Sequence, residues 1–587
     1  MSTAYVPEQP SSENGAGVAA PPPPAKPPHA SEATRLLCAG AYLDQGYRDR
    51  VIEQLHLYEQ RIVAPSLGFD AARVLAHALR ARRIEVAWSW AVLGLWAVGL
   101  PLTDYGILAY LLPSALLALG VWIRGPGRRP PVWRRVPAWW VRWWGRILLA
   151  VLLVSTVATV IKGDEYGSLS YEVRSDLRDS LPEVLSWLVP EGSGTGSSGA
   201  LYGWLTLLVL ALIAGCVGAQ RSQFARALGA ELSEARFGDA SADPAESAEG
   251  PRFQRVKRRI RTEQHAPLIM YHAVRPFCGA GEPVDTWTLA VELRPDRMKK
   301  QQPINNRKIL EQVRPLLERL RLPAEFAGTT VRDRLRWLEI DECVFLPAEG
   351  LADRDDAPYR PEAFEEHRGR AVEEGAEKRR HFLRIRVGGW EEELVVTVFV
   401  RVHTQGRMLM LEIVPHVLAP VREPFRNADR AAHQFRHNNP VGKAAWAFAR
   451  VAGSPVRSLI TIGRWVGYGW QVLTGGHGGA LPDGPALSVR ELGAEGPGSR
   501  FQQMDVERYL KSIQDRIANG VRQALAESGY QTGEFVQKIV NISSGGVNID
   551  RVEDSTFAVG THARATSGTA EGNGTPDQKG TGDHDDA

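Results

Sequence analysis

The sequence places two histidines at a spacing that could bind a metal ion. His433 and His437 are four residues apart, so a helix would carry both on one face, as metal ligands require. No third ligand is recognisable nearby, and the residues 438–440 that follow (Asn-Asn-Pro) are typical of a surface turn. We therefore interpret the two histidines as a surface pair.

Two acidic runs contain groups that could take part in catalysis. Asp341 and Glu342 precede Cys343, whose thiol could act as a nucleophile, but the sequence indicates no base to activate it. The three glutamates at 391–393 lie between two expected strands, where adjacent carboxylates point alternately, which is typical of a solvated hairpin flank. Neither run predicts a catalytic residue.

The motifs that could bind a cofactor or a metal lack the surrounding sequence that such sites need. The segment 194–199 (GTGSSG) matches the dinucleotide-binding pattern by letter, but it follows no expected strand and precedes an apolar segment. The 4 cysteines are scattered without a Cys-x-x-Cys pair, which argues against a disulfide framework and a zinc site. The sequence thus predicts no catalytic residue, no cofactor and no metal ligand.

The composition separates a membrane-like part from a soluble part. In 587 residues, 70 Lys and Arg nearly balance 67 Asp and Glu, which argues against a generic nucleic-acid binder. No nucleic-acid partner is therefore expected. Apolar residues and tryptophans are concentrated between residues 86 and 220.

Four apolar segments predict membrane spans: Val86–Leu100, Gly106–Ile123, Ala138–Ile161 and Leu201–Ala219. A span needs about 20 residues, so the first is short and could form half of a tight hairpin with the second. Their middles contain no Asp, Glu, Lys or His, which argues against an ion or proton pathway.

The arginine distribution predicts the orientation of these spans. The segment Arg124–Arg146 contains seven arginines and no acid, whereas Lys162–Ala200 contains seven acids and three bases. Because basic loops stay on the cytoplasmic side, we predict a multi-pass protein of the cell (plasma) membrane with both termini in the cytoplasm. Membrane lipid is its expected partner.

Residues 265–425 predict a cytoplasmic α+β domain. Residues 381–414 read as a three-stranded antiparallel β-meander with glycines at both turns. In the middle strand one face is apolar and should pack on helices, and its residues are Val396, Val398, Val400 and Val402. Further patterns predict an N-cap at Asp70, and a helix through Leu338 opened by Thr330 and Asp333.

Residues 443–473 combine three tryptophans with basic charges only, and contain four glycines and a proline. This composition suits docking at the membrane interface, packing on the protein's own domain, or a poor fifth span. The sequence leaves these three interpretations open.

The C-terminal segment 543–565 contains two short apolar sets separated by charges. Val547, Ile549, Phe557 and Val559 could mediate self-association or bind a partner protein. The segment resembles the short Gly/Val/Ile-rich motifs of bacterial and fungal signalling amyloids, although its four charges oppose the stacking of identical chains. A short hairpin after the preceding helix is the alternative.

The predicted segments follow the chain in order: a disordered proline-rich leader (1–31), a cytoplasmic helical module (32–85), the membrane domain (86–219), a linker and basic helix (220–264), the α+β domain (265–425), a helical segment of interfacial character (426–473), a glycine-rich linker (474–500), an amphipathic helix (501–541), a β-prone motif (542–566) and a disordered tail (567–587).

Several segments resemble uncharacterised four-span membrane proteins of high-GC Gram-positive bacteria. They are CAGAYLDQGYRDR, WRRVPAWW, the stretch from RHFLRIRVGG to GRMLMLE, and VLAPVREPF. The resemblance extends over most of residues 32–475 and implies no activity.

These patterns together predict a membrane-anchored scaffold or signalling protein that presents its α+β domain in the cytoplasm. A membrane-bound enzyme with an unrecognised site in that domain is the alternative, and an oligomeric channel-like protein is the third interpretation. A concave pocket that collects His and carboxylate groups would favour the enzyme.

Overall fold

The computed structural model describes residues 27–66, 68–125, 131–162, 199–247, 250–321, 335, 337–373, 377–389, 394–475, 480–496 and 498–537. Its helices are α1 (Glu32–Leu43), α2 (Gln45–Ile52), α3 (Ala71–Leu102), α4 (Leu111–Arg124), α5 (Val132–Lys162), α6 (Gly199–Arg226), α7 (Glu234–Phe237), α8 (Pro244–Ser247), α9 (Pro251–His265), α10 (Asn306–Glu318), α11 (Pro361–Glu373), α12 (Glu423–Arg426), α13 (Ala428–His437), α14 (Pro440–Val451), α15 (Ser454–Thr474), α16 (Val489–Leu492) and α17 (Arg500–Glu527). Its strands are β1 (Leu268–Tyr271), β2 (Glu282–Pro283), β3 (Trp287–Glu292), β4 (Leu338–Pro347), β5 (Arg380–Gly389), β6 (Leu394–Gln405) and β7 (Met408–Leu418).

Four helices of the N-terminal half are long and apolar enough to cross a membrane, as predicted. They are α3, α4 with the helical turn that precedes it, α5 and α6. Helix α3 packs on α6, and α4 packs on α5. Their shared core contains Val92 and Trp96 from α3 and Ile213 from α6. The first helix is longer than predicted, because α3 runs without a break from Ala71 to Leu102.

The N-terminal part of α3 belongs to a helical module. The predicted N-cap is confirmed, since Asp70 accepts a hydrogen bond of 3.0 Å from the backbone N–H of Ala72. Helices α1, α2 and α9 pack against this end of α3, and their buried side chains include Leu37, Val51 and Ile260. Helix α3 therefore begins in the helical module and ends among the four apolar helices.

The sheet is mixed, which corrects the prediction of a pure meander. The antiparallel order β5-β6-β7 is confirmed, and it forms the centre of a seven-stranded sheet. Strand β1 pairs with β4 in parallel, with Leu268 opposite Val344. Strands β2 and β3 both pair with β7. The predicted helix through Leu338 is wrong, because that residue opens β4, while Thr330 and Asp333 lie outside the described residues.

Helices cover one face of this sheet. The predicted apolar face of β6 is confirmed, because Val396, Val398, Val400 and Val402 are buried in one core with α10 and α17. Ile309 and Val313 contribute from α10, and Ile513 and Ile517 from α17. The amphipathic C-terminal helix is thus part of the same core as the sheet.

Aromatic side chains occupy part of the other face. Phe345, Phe382 and Phe399 pack around Phe277, whose ring centroid lies 4.8 Å from that of Phe399. Both sides of β6 are therefore buried, which explains why its polar Thr397 is also inaccessible.

Residues 443–473 form most of α14 and α15. Helix α14 packs on α6, and α15 packs on α3 and α4. Neither α14 nor α15 has the length and hydropathy of a spanning helix. These contacts place both helices against the apolar helices of the same chain.

Candidate functional site

The two histidines lie on the surface of α13. Both rings are exposed and stacked, with their centroids 3.9 Å apart, and His437 Nδ1 is 3.0 Å from the carbonyl oxygen of His433. Within the residues that the structure describes, no group of three or more His, Cys, Asp or Glu side chains could hold a metal ion. The pair therefore has no third ligand in this part of the chain.

The acidic run on β4 forms ion pairs with its neighbours. Glu342 accepts a hydrogen bond of 3.0 Å from Arg368 and lies 3.1 Å from Nε2 of His381, and the contact with His381 lowers the pKa of Glu342 to about 2. Cys343 is fully buried, and burial raises the pKa of its thiol to about 12. Because the thiolate is the nucleophilic form, this cysteine is inert.

Three other motifs fall where the structure describes nothing. They are the three glutamates at 391–393, most of the GTGSSG segment (194–198), and the C-terminal motif with Val547, Ile549, Phe557 and Val559. These residues all lie outside the described ranges.

A buried charge cluster holds the first turns of α3, which the sequence did not reveal. Arg73 donates hydrogen bonds of 3.0 and 2.8 Å to Asp243, and His77 Nε2 lies 2.9 Å from the same carboxylate. Arg73 also donates to the carbonyl of Phe237 at 2.8 Å and covers its ring at 3.7 Å. Burial would raise the pKa of Asp243, but His77 and Arg73 outweigh it and hold that pKa well below its usual range.

A second set of contacts joins α3 to α9 and then to the sheet. Arg261 lies 2.8 Å from the carboxylate of Asp70, and the side chain of Gln264 bonds both Asp70 and the backbone N–H of Ala71. Helix α9 ends at His265, and β1 begins three residues later at Leu268. The start of α3 and the edge of the sheet are thus separated by one short, hydrogen-bonded connection.

A third contact fixes this connection from the side of the α+β domain. Glu263 of α9 accepts a hydrogen bond of 2.7 Å from Arg354, which also donates to the carbonyl of Glu59 at 2.6 Å. The same carboxylate accepts from the backbone N–H of Val63 at 2.9 Å. We call all these contacts, centred on Arg73–Asp243, Arg261–Asp70 and Arg354–Glu263, the charged junction.

Two clefts lie near α9. One of about 340 Å³ lies over the basic face of this helix. The other is more enclosed and lies between the module and the sheet. This second cleft has a volume of about 310 Å³ and is lined by Ser66, Gln264, His265, Trp337, Arg384 and Arg386 among others. Its volume is at the lower limit of known ligand sites. We call it the junction cleft.

Trp337 forms one wall of the junction cleft with an unusual backbone. Its φ is +51°, a left-handed conformation that is strained for a bulky residue. Gly388 of the next strand permits this position, because a Cβ there would lie 3.2 Å from the Cβ of Trp337. Such strain is concentrated at functional sites, which makes Trp337 a candidate binding residue.

The described side chains that line the junction cleft could bind a ligand, but none of them is positioned as a nucleophile. Arg384 donates a hydrogen bond of 2.8 Å to Asp341, and Arg386 pairs with Glu339, so both guanidinium groups are neutralised locally. The Ser66 hydroxyl accepts from the N–H of Phe69 and donates to its carbonyl. Partial burial, together with Arg261 and Arg386, lowers the pKa of His265, so its imidazole is mainly neutral at pH 7.

The sequence signal for this site was weak. Residues 238–250 have the composition of a flexible linker, yet Asp243 in that segment is 5% exposed. The sequence feature that pointed to the charged junction was the predicted N-cap at Asp70, because it located the start of α3 there. The fold and the site thus define four apolar helices that are joined through buried charges to an α+β domain.

Comparison with known proteins adds one family. Residues 286–556 match the model of a family described as the AbeC-like domain. The matched range includes β3 to β7, α14, α15 and α17, and it leaves out β1 and β2. It indicates an uncharacterised family, and it bears neither on bacterial origin nor on the apolar helices. No curated protein and no solved structure matched the chain.

The charged junction predicts the effect of one substitution. Asp243→Asn leaves the guanidinium of Arg73 buried without its counter-charge, which should cost about 3–5 kcal/mol of local stability. Hydrogen–deuterium exchange of the full-length protein in detergent should show faster exchange in the first turns of α3 and in residues 238–247. Asp239→Asn is the control, because Asp239 lies on the exposed side of the same segment. Equal exchange in the two variants would contradict the role of Asp243.

Proposed function

We propose that this protein is a membrane-anchored scaffold or signalling protein that presents its α+β domain at the cytoplasmic face of the plasma membrane. The observation that carries the proposal is the unbroken course of α3. This helix begins at Ala71 in the charged junction and ends at Leu102 among the four apolar helices. A domain that is attached in this way has a fixed height and orientation relative to the membrane.

The exposed surfaces support the assignment of the apolar helices to a membrane. Trp122, Val154 and Ile161 are 79, 69 and 75% exposed, and each belongs to a helix that is long enough to span. A water-soluble protein rarely exposes contiguous apolar surface of this kind. Lipid is therefore the partner we assign to these faces.

The orientation of the anchor follows from charge. In the sequence, arginines precede the apolar part of α3, follow that of α4 and follow that of α6, whereas the acidic residues of 162–200 lie between α5 and α6. By the preference of basic segments for the cytoplasm, the α+β domain and both termini face inward.

Reporter fusions test the anchor and its orientation together. Fusions after Arg129 and after Gln220 should report cytoplasm, and a fusion near Gly196 should report the exterior. These positions bracket the third and fourth apolar helices, so each pair of neighbouring results fixes one crossing. A cytoplasmic signal at Gly196 would contradict the four-span anchor.

The scaffold proposal includes recruitment of partners through the C-terminal motif. Confinement to a membrane surface raises the effective concentration of such segments, so weak contacts between them become sufficient. Charges within the motif favour pairing with a different peptide at least as much as pairing between identical chains.

A fluorescent carrier fused to residues 542–566 tests this part. Expressed with the full-length protein, the carrier should form foci or co-localise with it at the membrane. Replacing both Ile549 and Phe557 with Asp should abolish the foci and the co-localisation, because a charge at either position disrupts an apolar contact. Diffuse fluorescence of the unmodified carrier would leave the segment as a passive hairpin.

The junction cleft is the place where a bound ligand would affect the scaffold. A ligand there would touch the module through Gln264 and the sheet through Trp337. The enzyme alternative rests on the same cleft, because His265 and the carboxylate of Glu339 both line it. Glu339 is paired with Arg386, and the Ser66 hydroxyl is bonded to the backbone, so we propose that the cleft is a binding site.

A further inference from the structure

Helices α14 and α15 form a hairpin that lies beside the apolar helices. Ala447 and Val451 of α14 are buried in the same core as Val92, Trp96 and Ile213. Residues 452–453 connect the two helices, and the indole N–H of Trp96 lies 3.4 Å from the hydroxyl of Ser454, at the start of α15. The tip of the hairpin is therefore fixed to the apolar part of α3, six residues before that helix ends.

The depth of this tip can be read from α3. Glu85 is the last charged residue of α3 before its apolar part, and Trp96 is 11 residues further along. At about 1.5 Å per residue, the tip lies about 16 Å beyond Glu85. This is about half of the ~30 Å thickness of a hydrocarbon core.

The other end of the hairpin returns to the level of the module. Arg82 donates a hydrogen bond of 3.2 Å to the carbonyl of Arg464 and lies 4.1 Å from the ring of Tyr468. Further along, the hydroxyl of Tyr468 lies 2.6 Å from His56. Helix α15 thus runs antiparallel to α3, from the depth of Trp96 back to that of Arg82.

Two carbonyl groups at the break between the helices accept hydrogen bonds from one side chain of the hairpin. Arg457 donates to the carbonyl of Arg450 at 2.7 Å and to that of Gly453 at 3.0 Å. Carbonyls at a helix end normally bond to water. In a hydrocarbon environment they need a partner from the protein, and Arg457 supplies it.

The outer face of the hairpin is apolar and continues the surface of the four helices. Leu459, Ile460, Trp465, Val466, Trp470 and Leu473 are all exposed on α15. The charged side chains of α14 and α15 are all basic, and they are Lys443, Arg450, Arg457 and Arg464. Lys443 and Arg464 lie at the ends of the hairpin away from its tip, where a leaflet with anionic headgroups would attract them.

We infer that residues 440–474 are a re-entrant hairpin whose tip reaches about the middle of the bilayer from the cytoplasmic side, with lipid acyl chains against Leu459 and Ile460 in the first half of α15 and the second half of α15 at the membrane surface. The inference rests on the proposed membrane anchor. It goes beyond it by adding a membrane contact from within the segment that matches the AbeC-like domain. Sheet and hairpin are then held to the membrane by α15 as well as by α3.

Site-specific photo-cross-linking in the full-length protein tests this inference. Benzoylphenylalanine replaces one residue at a time, in cells fed an alkyne-labelled fatty acid, and lipid adducts are detected after irradiation. Leu459 is the test position on α15, and Val151 on α5 reports the anchor. Phe501 at the start of α17 is the control, because it is more exposed than either but belongs to the α+β domain.

Adducts at Leu459 and Val151, with none at Phe501, are the expected result. Adducts at Val151 and none at Leu459 would overturn the hairpin and leave the anchor standing. Equal yields at Leu459 and Phe501 would also overturn it, because the hairpin would then be no deeper than the domain surface. Loss of the adduct at Val151 would contradict the anchor itself, and the hairpin with it.

Discussion

The buried carboxylate of Asp243 is the group on which the rest of the structure depends. A carboxylate that is nearly inaccessible to water can stay charged only beside opposite charge and hydrogen-bond donors, and Arg73 and His77 supply both from α3. Apolar residues of the same size could stabilise this position equally well. We therefore propose that the cluster fixes the position of α3 along its axis, because a shift of α3 by one residue would separate both donors from Asp243.

From that cluster the contacts continue to the sheet in two steps. Asp70 and Gln264 bind the start of α3 to α9, and Glu263 binds α9 to Arg354 near the end of β4. The junction cleft lies beside this connection, so its shape depends on how the module and the sheet are held together. A strained residue such as Trp337 persists only where its surroundings are this well fixed.

The local parts of this fold could be predicted from sequence. Alternation of valines along β6 and the glycines at its turns indicated the central strands, and apolar length indicated the four helices. The parallel pairing of β1 with β4 could not be predicted, because Leu268 and Val344 are distant in the chain and no periodicity links them. The same applies to α17, whose apolar stripe suits self-association as well as packing on β6.

The candidate site was missed for a related reason. Composition marks residues 238–250 as a linker, since small and acidic residues dominate there. Only the folded chain shows that Arg73 and His77, one turn apart on α3, converge on a carboxylate from that segment. The sequence leaves the interpretation of 443–473 open because its mixed composition suits several environments, and only the folded chain shows that it packs on α3 and α6.

The central claim is that the apolar helices and the sheet are held in one orientation. Double electron–electron resonance tests it most directly, with spin labels at Arg83→Cys on α3 and Gln405→Cys at the end of β6, in full-length protein in lipid nanodiscs. Both positions are exposed, and Cys216→Ala removes the one native thiol that is not fully buried. The account predicts a single narrow distance distribution. A broad distribution, or several separate distances, would contradict it.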